Sequence, residues 1–128
     1  NVALINKNNL NVDNFSLVHA DWISSFKKES FDLIVSNPPY IADHDPHLEN
    51  LKHEPNRALV AKDNGLGDIR IIVEQSTEVL KRGGMLILEH GYQQQEEVEN
   101  ILEMNHFSDI SNLKDFQGLP RITLATLE

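Results

Sequence analysis

The stretch from Phe31 to Tyr40, "FDLIVSNPPY", decides how the rest of the chain is interpreted. Its first five residues are mostly apolar and include β-branched side chains, which is typical of a buried strand. Pro38 and Pro39 cannot donate backbone hydrogen bonds, so a central strand cannot continue through them. The sequence therefore predicts a strand that ends in a stiff corner. In α/β proteins, the ends of strands are where ligands bind.

The pattern on either side of this stretch is that of an α/β domain whose last two strands are antiparallel. From Asp68 onward, apolar residues recur at helical spacing, Lys81 and Arg82 suit a helix C-terminus, and Gly83 can end the helix. Asp115 and Arg121 flank a turn and predict a hairpin with an ion pair. In chain order, we predict the end of a helix at 1–10, strands at 15–20 and 31–35, a helix at 68–82, a strand at 85–90, a helix at 93–105, and strands at 107–113 and 121–127.

Composition restricts the class of protein. The 128 residues suffice for one domain or part of one, and the absence of cysteine excludes disulfides and thiol chemistry. No apolar run approaches the roughly 20 residues of a membrane span, and the first residues do not resemble a signal peptide, so we expect a cytoplasmic protein without a membrane partner. A net charge of −9 argues against direct nucleic-acid binding and favours a protein or small-molecule partner.

The residues Asn37, Pro38, Pro39 and Tyr40 could form a clamp for a planar amine or amide nitrogen. The Asn37 side-chain amide both donates and accepts, and the Pro38 carbonyl is a second fixed acceptor. The Tyr40 ring offers a flat apolar face beside them. A Pro-Pro turn with a packed tyrosine is the structural alternative, and the position directly after an apolar strand favours the clamp.

Asp21 and Trp22 could bind an adenine-bearing cofactor. The carboxylate can accept from an exocyclic amine or a ribose hydroxyl, and the indole can stack on a purine. A helix cap followed by a core aromatic explains the same pair equally well.

Two groups of residues suggest other chemistry without predicting it. His44, His47 and His53 lie in a segment interrupted by proline, where no helical face aligns the rings, so we predict no metal site. Glu89 and His90 could form an acid/base pair, but no nucleophile with suitable neighbours accompanies them, which argues against hydrolysis.

Four segments together resemble the HemK/PrmC family of release factor glutamine methyltransferases. They are "HADW", "FDLIVSNPPYI", the run "HEPNRALVAKDNGLGDIRIIVEQSTEVLKRGGMLILEHGYQQ", and "DFQGLPRITLA". "NPPY" alone also occurs in methyltransferases that act on adenine or guanine. The "EP..AL" loop, "NGLGDIR" and "LEHG.QQ" are the markers that distinguish this family from them.

This resemblance implies a class I, Rossmann-like S-adenosylmethionine-dependent methyltransferase fold and a class I peptide-chain release factor as substrate. Asn37 and the Pro38 carbonyl would accept hydrogen bonds from the two amide hydrogens of the substrate glutamine, with Pro39 and Tyr40 packed beside it. Asp21 and Trp22 would lie at the cofactor adenine, and Asn37 also near its methionyl end. The methyl group would pass in line from the sulfonium to the amide nitrogen.

The resemblance also implies what this chain lacks. The family's Gly-rich cofactor loop, its first two strands and its N-terminal substrate-docking domain have no counterpart in residues 1–128, so we interpret the chain as the C-terminal part of the catalytic domain. Four strands, 31–35, 85–90, 121–127 and 107–113, would form its core in that order. The strand at 15–20 would have no neighbour.

Two alternatives to a release factor methyltransferase remain open. One is an amino-methyltransferase that acts on adenine or guanine in nucleic acid. The other is an inactive fragment that serves as an association module, because an unpaired strand and an exposed sheet edge favour self-association. In either case we expect the chain alone to have no useful activity.

Overall fold

Nine helices and strands lie in the described part of this computed structural model, which comprises residues 2–10, 14–42, 60–61 and 65–128. Most are at the predicted positions. In chain order they are α1 (Val2–Leu10), β1 (Phe31–Ser36), β2 (Ile41–Ala42), β3 (Val60–Ala61), α2 (Gly67–Val79), β4 (Leu80–Glu89), α3 (Gln95–Met104), β5 (Phe107–Lys114) and β6 (Pro120–Leu127).

Four strands form the main sheet in the order β1-β4-β6-β5. β1 and β4 are parallel, as expected for two strands joined through a helix, and β6 is antiparallel to both β4 and β5. This order confirms the predicted four-stranded core and the antiparallel last pair. Because β1 and β4 run in the same direction, Ser36 and Glu89 end at the same edge of the sheet, which we call the carboxyl edge.

One face of this sheet is covered by α2 and α3. The apolar face predicted for α2 is buried there, with Ile69 and Val73 fully inaccessible, and α3 buries Val98, Ile101 and Leu102. Alternate residues of the strands, such as Leu86 and Leu88 of β4, complete this core. The other face presents a largely apolar surface on which Leu33, Val35 and Met85 are 50%, 68% and 38% exposed.

The prediction of a strand at residues 15–20 is wrong. These residues have no regular secondary structure, and Phe15 and Val18 are 44% and 62% exposed. An isolated strand cannot satisfy its backbone hydrogen bonds, and no described segment lies beside this one to pair with it.

Helix α2 ends three residues earlier than predicted. Leu80 has extended dihedral angles, is 1% exposed, and pairs with Phe31 of β1. The register then shifts between Phe31 and Leu33, so that Leu33 pairs with Met85. Burial of Leu80 in the sheet outweighs the helix propensity of the basic residues that follow it.

A two-stranded parallel ladder, β2 with β3, brings residues 60–61 beside residues 41–42. It was not predicted, because the segment between residues 41 and 64 reads as irregular. No described helix is long and apolar enough to cross a membrane.

Candidate active site at the carboxyl edge of the sheet

The four residues of the predicted clamp lie immediately beyond β1. Asn37 is exposed, Pro38 is fully buried, and Pro39 and Tyr40 are half-buried. Within the described residues, no donor reaches the Pro38 carbonyl oxygen. The buried proline thus anchors the corner, while the Asn37 amide at the end of the strand is accessible.

Tyr40 is held at both its hydroxyl and its backbone carbonyl. The hydroxyl donates to Glu89 Oε1 at 3.0 Å, and the carbonyl oxygen accepts from Gln94 Nε2 at 3.0 Å. Burial raises the pKa of the Tyr40 hydroxyl, the hydrogen bond to Glu89 raises it further, and Arg121 opposes the shift. Tyr40 is therefore protonated at neutral pH and acts as a fixed donor.

Gly65 lies directly against the backbone of Tyr40. Its φ of +86° is in the left-handed region, and a Cβ at this position would overlap the Tyr40 carbonyl oxygen. Gln94 also lies here, and its Oε1 accepts from the Gly91 backbone N–H at 2.8 Å. Gly65 of the "NGLGDIR" marker and Gln94 of the "LEHG.QQ" marker thus meet at Tyr40, which gives a physical reason for two of the family markers.

Glu89 and His90 do not form an acid/base pair. Glu89 is the last residue of β4 and His90 follows it directly, and the half-buried Glu89 and fully buried His90 continue the alternation of the strand, which points consecutive side chains to opposite faces of the sheet. The fully buried His90 places Nδ1 2.9 Å from the Gly91 carbonyl oxygen and Nε2 2.8 Å from Thr123 Oγ1. Burial lowers the pKa of His90, and the hydrogen bond to the Gly91 carbonyl opposes this shift, so the ring is a buried structural group.

A polar network extends from His90 across the sheet. The Thr123 hydroxyl donates to Asn112 Oδ1 at 2.7 Å, and Asn112 Nδ2 donates to Glu99 Oε1 at 2.7 Å. The same Glu99 oxygen accepts from Gln95 Nε2 at 2.7 Å. Among the described residues, no buried side-chain polar atom lacks a partner. This network joins the end of β4 to β5, β6 and α3, and so supports the carboxyl edge.

The turn between β5 and β6 forms the ion pair that was predicted. Asp115 Oδ2 lies 3.2 Å from Arg121 Nη2, and Asp115 Oδ1 accepts from the backbone N–H groups of Gln117 and Leu119 at 2.9 and 3.0 Å. The bond from Leu119 is the main reason that the pKa of Asp115 is lowered. Arg121 Nη1 also donates to the His90 carbonyl oxygen at 3.3 Å.

The two residues predicted to lie at the cofactor adenine are in different environments. Asp21 is exposed, and its backbone carbonyl accepts from Ser24 Oγ at 3.2 Å. Trp22 has a φ of +51°, is half-buried and packs against the hydrophobic core. The Asp21 carboxylate and the Asn37 amide are both exposed, as expected for groups that form hydrogen bonds with a cofactor. Trp22 matches the core aromatic of the structural alternative, and no recorded contact joins it to Asn37 among the described residues.

His44, His47 and His53 lie outside the described residues. Within the described part of the chain, no three histidine or acidic side chains are grouped as metal ligands.

Sequence reasoning missed Glu89, Gln94 and Gly65 as supports of the site. All three lie within the family markers, but their spacing to Tyr40 along the chain shows no regular pattern. Their shared contact with Tyr40 exists only once the sheet has formed.

The sheet order, the antiparallel last strand and the site at the carboxyl edge define a Rossmann-like methyltransferase fold. The fold is similar to that of a candidate DNA modification methylase from Thermus thermophilus, with a TM-score of 0.54, 16% identity, and 82% of this chain and 49% of that one covered. A structure with S-adenosyl-L-methionine, of the same description and organism, gives 0.54 at 15% identity, covering 82% and 51%. At these identities the likeness concerns the fold alone.

The chain belongs to the Eco57I restriction-modification methylase family, whose model matches residues 2–119. Curated relatives with the name release factor glutamine methyltransferase confirm the resemblance to HemK/PrmC. The one from Coxiella burnetii is 38% identical over 97% of this chain and 45% of its own length, and the one from Escherichia coli K12 is 41% identical over 96% and 45%. That from Pasteurella multocida is 48% identical over 80% and 36%. The chain thus spans less than half the length of these relatives.

Proposed function

We propose that this chain is the C-terminal part of the catalytic domain of an enzyme that methylates the side-chain amide nitrogen of a glutamine in class I peptide-chain release factors. The observation that supports this most is the 38% to 48% identity to relatives named for that activity. Because the chain spans about 45% of such a relative, the full activity belongs to a longer polypeptide, which we call the intact enzyme. We propose that it is cytoplasmic.

In this proposal, residues 37–40, which we call the NPPY corner, hold the acceptor glutamine. The accessible Asn37 amide oxygen and the Pro38 carbonyl each accept one amide hydrogen, while Pro39 and Tyr40 limit the movement of the amide group. S-adenosyl-L-methionine, when bound, supplies an electrophilic sulfonium methyl group. Asp21, Trp22 and Asn37 are the residues of this chain that would contact it, Asp21 by accepting hydrogen bonds and Trp22 through its indole face.

Positioning of the glutamine amide has to supply much of the rate acceleration of methyl transfer. An amide nitrogen is a poor nucleophile because its lone pair is delocalised into the carbonyl. Two fixed acceptors can orient this nitrogen toward the methyl group and favour a less planar geometry. The buried Pro38 and the doubly held Tyr40 support this role, because they restrict the corner before substrate binds.

The decisive experiment is the substitution Asn37→Ala in the intact enzyme. We expect methyl transfer to release factor to fall by at least about 100-fold, because a fixed polar contact to the reacting group is lost. The thermal midpoint should change little, since Asn37 is exposed. Asn100→Ala is the matched control, because Asn100 is also exposed but lies on α3. Near-normal turnover of Asn37→Ala would contradict the clamp.

An amino-methyltransferase that acts on nucleic acid is the second candidate, and the description of the matching family favours testing it. The net charge of −9 opposes it, because binding a phosphate backbone requires clustered basic residues. The wild-type intact enzyme should be assayed on release factor, DNA and ribosomal RNA in parallel. Methylation of DNA or RNA without methylation of release factor would reject the proposed substrate.

The separate chain should bind the cofactor weakly or not at all, because it spans only about 45% of a relative named for this activity. Calorimetry with S-adenosyl-L-methionine tests this directly, and micromolar binding by residues 1–128 would contradict it. Light scattering after size exclusion tests the other proposed property of the separate chain, self-association through the edge of β1 that has no neighbouring strand among the described residues.

A further inference from the structure

The turn between β5 and β6 is well ordered by hydrogen bonds and presents one apolar ring to solvent. Phe116 is fully exposed, whereas Asp115 on one side and Leu119 on the other are half-buried. Nothing in the turn requires an aromatic residue at this position, because polar residues and glycine are the usual occupants of turns. An exposed aromatic side chain is therefore a feature that a binding role would explain.

The hydrogen bonds that hold the turn join residues other than Phe116. The Asp115 backbone N–H donates to the Leu119 carbonyl at 2.8 Å, and the Gly118 N–H donates to the Asp115 carbonyl at 2.9 Å. The Asp115 carboxylate binds two more backbone N–H groups and Arg121. Gly118 has a φ of +81°, which closes the turn. These bonds pre-organise the backbone on which Phe116 is mounted, and so reduce the entropy lost when its ring docks.

The turn also stands at the carboxyl edge, next to the proposed site. The His90 N–H donates to the Arg121 carbonyl at 3.0 Å, and Ile122 pairs with Glu89. Arg121 contacts Asp115 on the turn and the His90 carbonyl beside the site, and it is near enough to Tyr40 to influence its hydroxyl. A molecule bound at the NPPY corner that extends beyond the amide group can therefore reach the turn.

The chemistry of the turn fits a folded protein better than a nucleic acid. Arg121 is already paired with Asp115, and Lys114 is the remaining cation in this segment. An apolar ring without a basic cluster suits an apolar depression on a protein surface. The overall negative charge of the chain points the same way.

We infer that Phe116 is a docking residue for the folded protein substrate, and that it binds an apolar depression beside the loop that carries the acceptor glutamine. This inference rests on the proposed function. It predicts that the turn contributes to recognition of the whole substrate protein, while the NPPY corner alone recognises the glutamine amide.

The test compares Phe116→Ala with wild type in the intact enzyme, using both folded release factor and a short peptide that contains the acceptor glutamine. We expect KM for the folded protein to rise about tenfold, because a buried aromatic anchor is lost, with kcat unchanged. Kinetics on the peptide should not change. Phe116→Leu should restore most of the affinity for the folded protein.

Met104→Ala is the matched control, since Met104 is 78% exposed but lies at the end of α3, near the opposite edge of the sheet. The inference is overturned if Phe116→Ala leaves KM for the folded protein unchanged, if it impairs the peptide equally, or if Met104→Ala has the same effect. A wild-type enzyme that methylates no release factor overturns the proposed function together with this inference. A wild-type enzyme that is active while Phe116→Ala has no effect overturns the inference alone.

Discussion

The Tyr40 hydroxyl donates a hydrogen bond of 3.0 Å to Glu89 Oε1, across 49 positions of sequence. Tyr40 ends the corner that follows β1, and Glu89 is the last residue of β4, so this bond joins the ends of two neighbouring parallel strands. The Tyr40 ring is thereby fixed relative to the sheet. Its orientation beside Asn37 depends on a residue that sequence reasoning had considered only for acid/base chemistry.

Replacing Glu89 should impair the site through Tyr40. We expect Glu89→Ala to lower kcat/KM of the intact enzyme by roughly tenfold, because a half-buried hydroxyl loses its acceptor at a cost of about 1 to 2 kcal/mol. Glu89→Gln keeps an acceptor oxygen and should lose less. Glu96→Ala, an exposed acidic residue on α3, is the control and should behave as wild type.

A double-mutant cycle with Tyr40→Phe distinguishes an effect of Glu89 through Tyr40 from a general effect of the Glu89 charge. If Glu89 acts by positioning Tyr40, adding Glu89→Ala to Tyr40→Phe should cause little further loss of kcat/KM. Fully additive losses would show that Glu89 acts independently of Tyr40.

Gly65→Ala should be far more damaging than Gly83→Ala. Both glycines have positive φ, +86° and +75°, but only at Gly65 would a Cβ meet other atoms, the Tyr40 carbonyl and Gln94 Nε2. We expect a loss of about 1 kcal/mol of unfolding free energy for Gly83→Ala from backbone strain alone. Gly65→Ala should lose about 3 kcal/mol or more, since strain and overlap combine. Urea unfolding of the intact enzyme measures both, and equal losses would contradict the close approach at Tyr40.

Gln94 should be essential to the site, whereas its neighbour Gln93 should not. Gln94→Ala removes the partners of the Tyr40 carbonyl and the Gly91 N–H, both partly buried, and should cost about 1 to 3 kcal/mol of unfolding free energy. Gln94→Glu keeps the acceptor for Gly91 but cannot donate to the Tyr40 carbonyl and places a carboxylate oxygen against it, so both stability and kcat should fall. Gln93 is exposed, and among the described residues its side chain bonds to the Tyr92 hydroxyl alone, so Gln93→Ala is the control. A Gln93→Ala effect as large as that of Gln94→Ala would contradict this assignment.

His90 should make stability fall as the pH drops. Burial lowers its pKa in the folded state, and Arg121 lowers it further, while the hydrogen bond to the Gly91 carbonyl and the charges of Glu99 and Glu89 oppose the shift. The unfolded chain therefore binds a proton near the ordinary histidine value of about 6.5, before the folded state does. The stabilisation is fully present above that pH and is lost as the pH falls toward the lower pKa of the folded state. The slope from this residue cannot exceed about 1.4 kcal/mol per pH unit.

Urea unfolding of the intact enzyme between about pH 8 and pH 5 measures this dependence. His90→Gln should unfold with a shallower pH dependence than wild type, because one titrating group is gone. Identical pH dependence in His90→Gln and wild type would show that His90 does not contribute.

Local signals predicted much of the fold. The apolar spacing along α2 and α3 identified the residues that are buried, and "NPPY" correctly ended β1. The predicted strand at 15–20 failed because a strand requires a neighbour, which no local sequence encodes. The predicted end of α2 was wrong because burial of Leu80 in the sheet stabilises the fold more than one further turn of the helix would.

The sequence by itself determined most of the helices and strands, the stiff corner after β1 and the family, because these depend on local periodicity, on proline and on recognisable motifs. Only the tertiary structure decided that Glu89, Gln94 and Gly65 all meet at Tyr40, and that Glu89 and His90 face opposite sides of the sheet. Those relationships arise from strand order and register, which bring distant residues within hydrogen-bonding distance only when the sheet has formed.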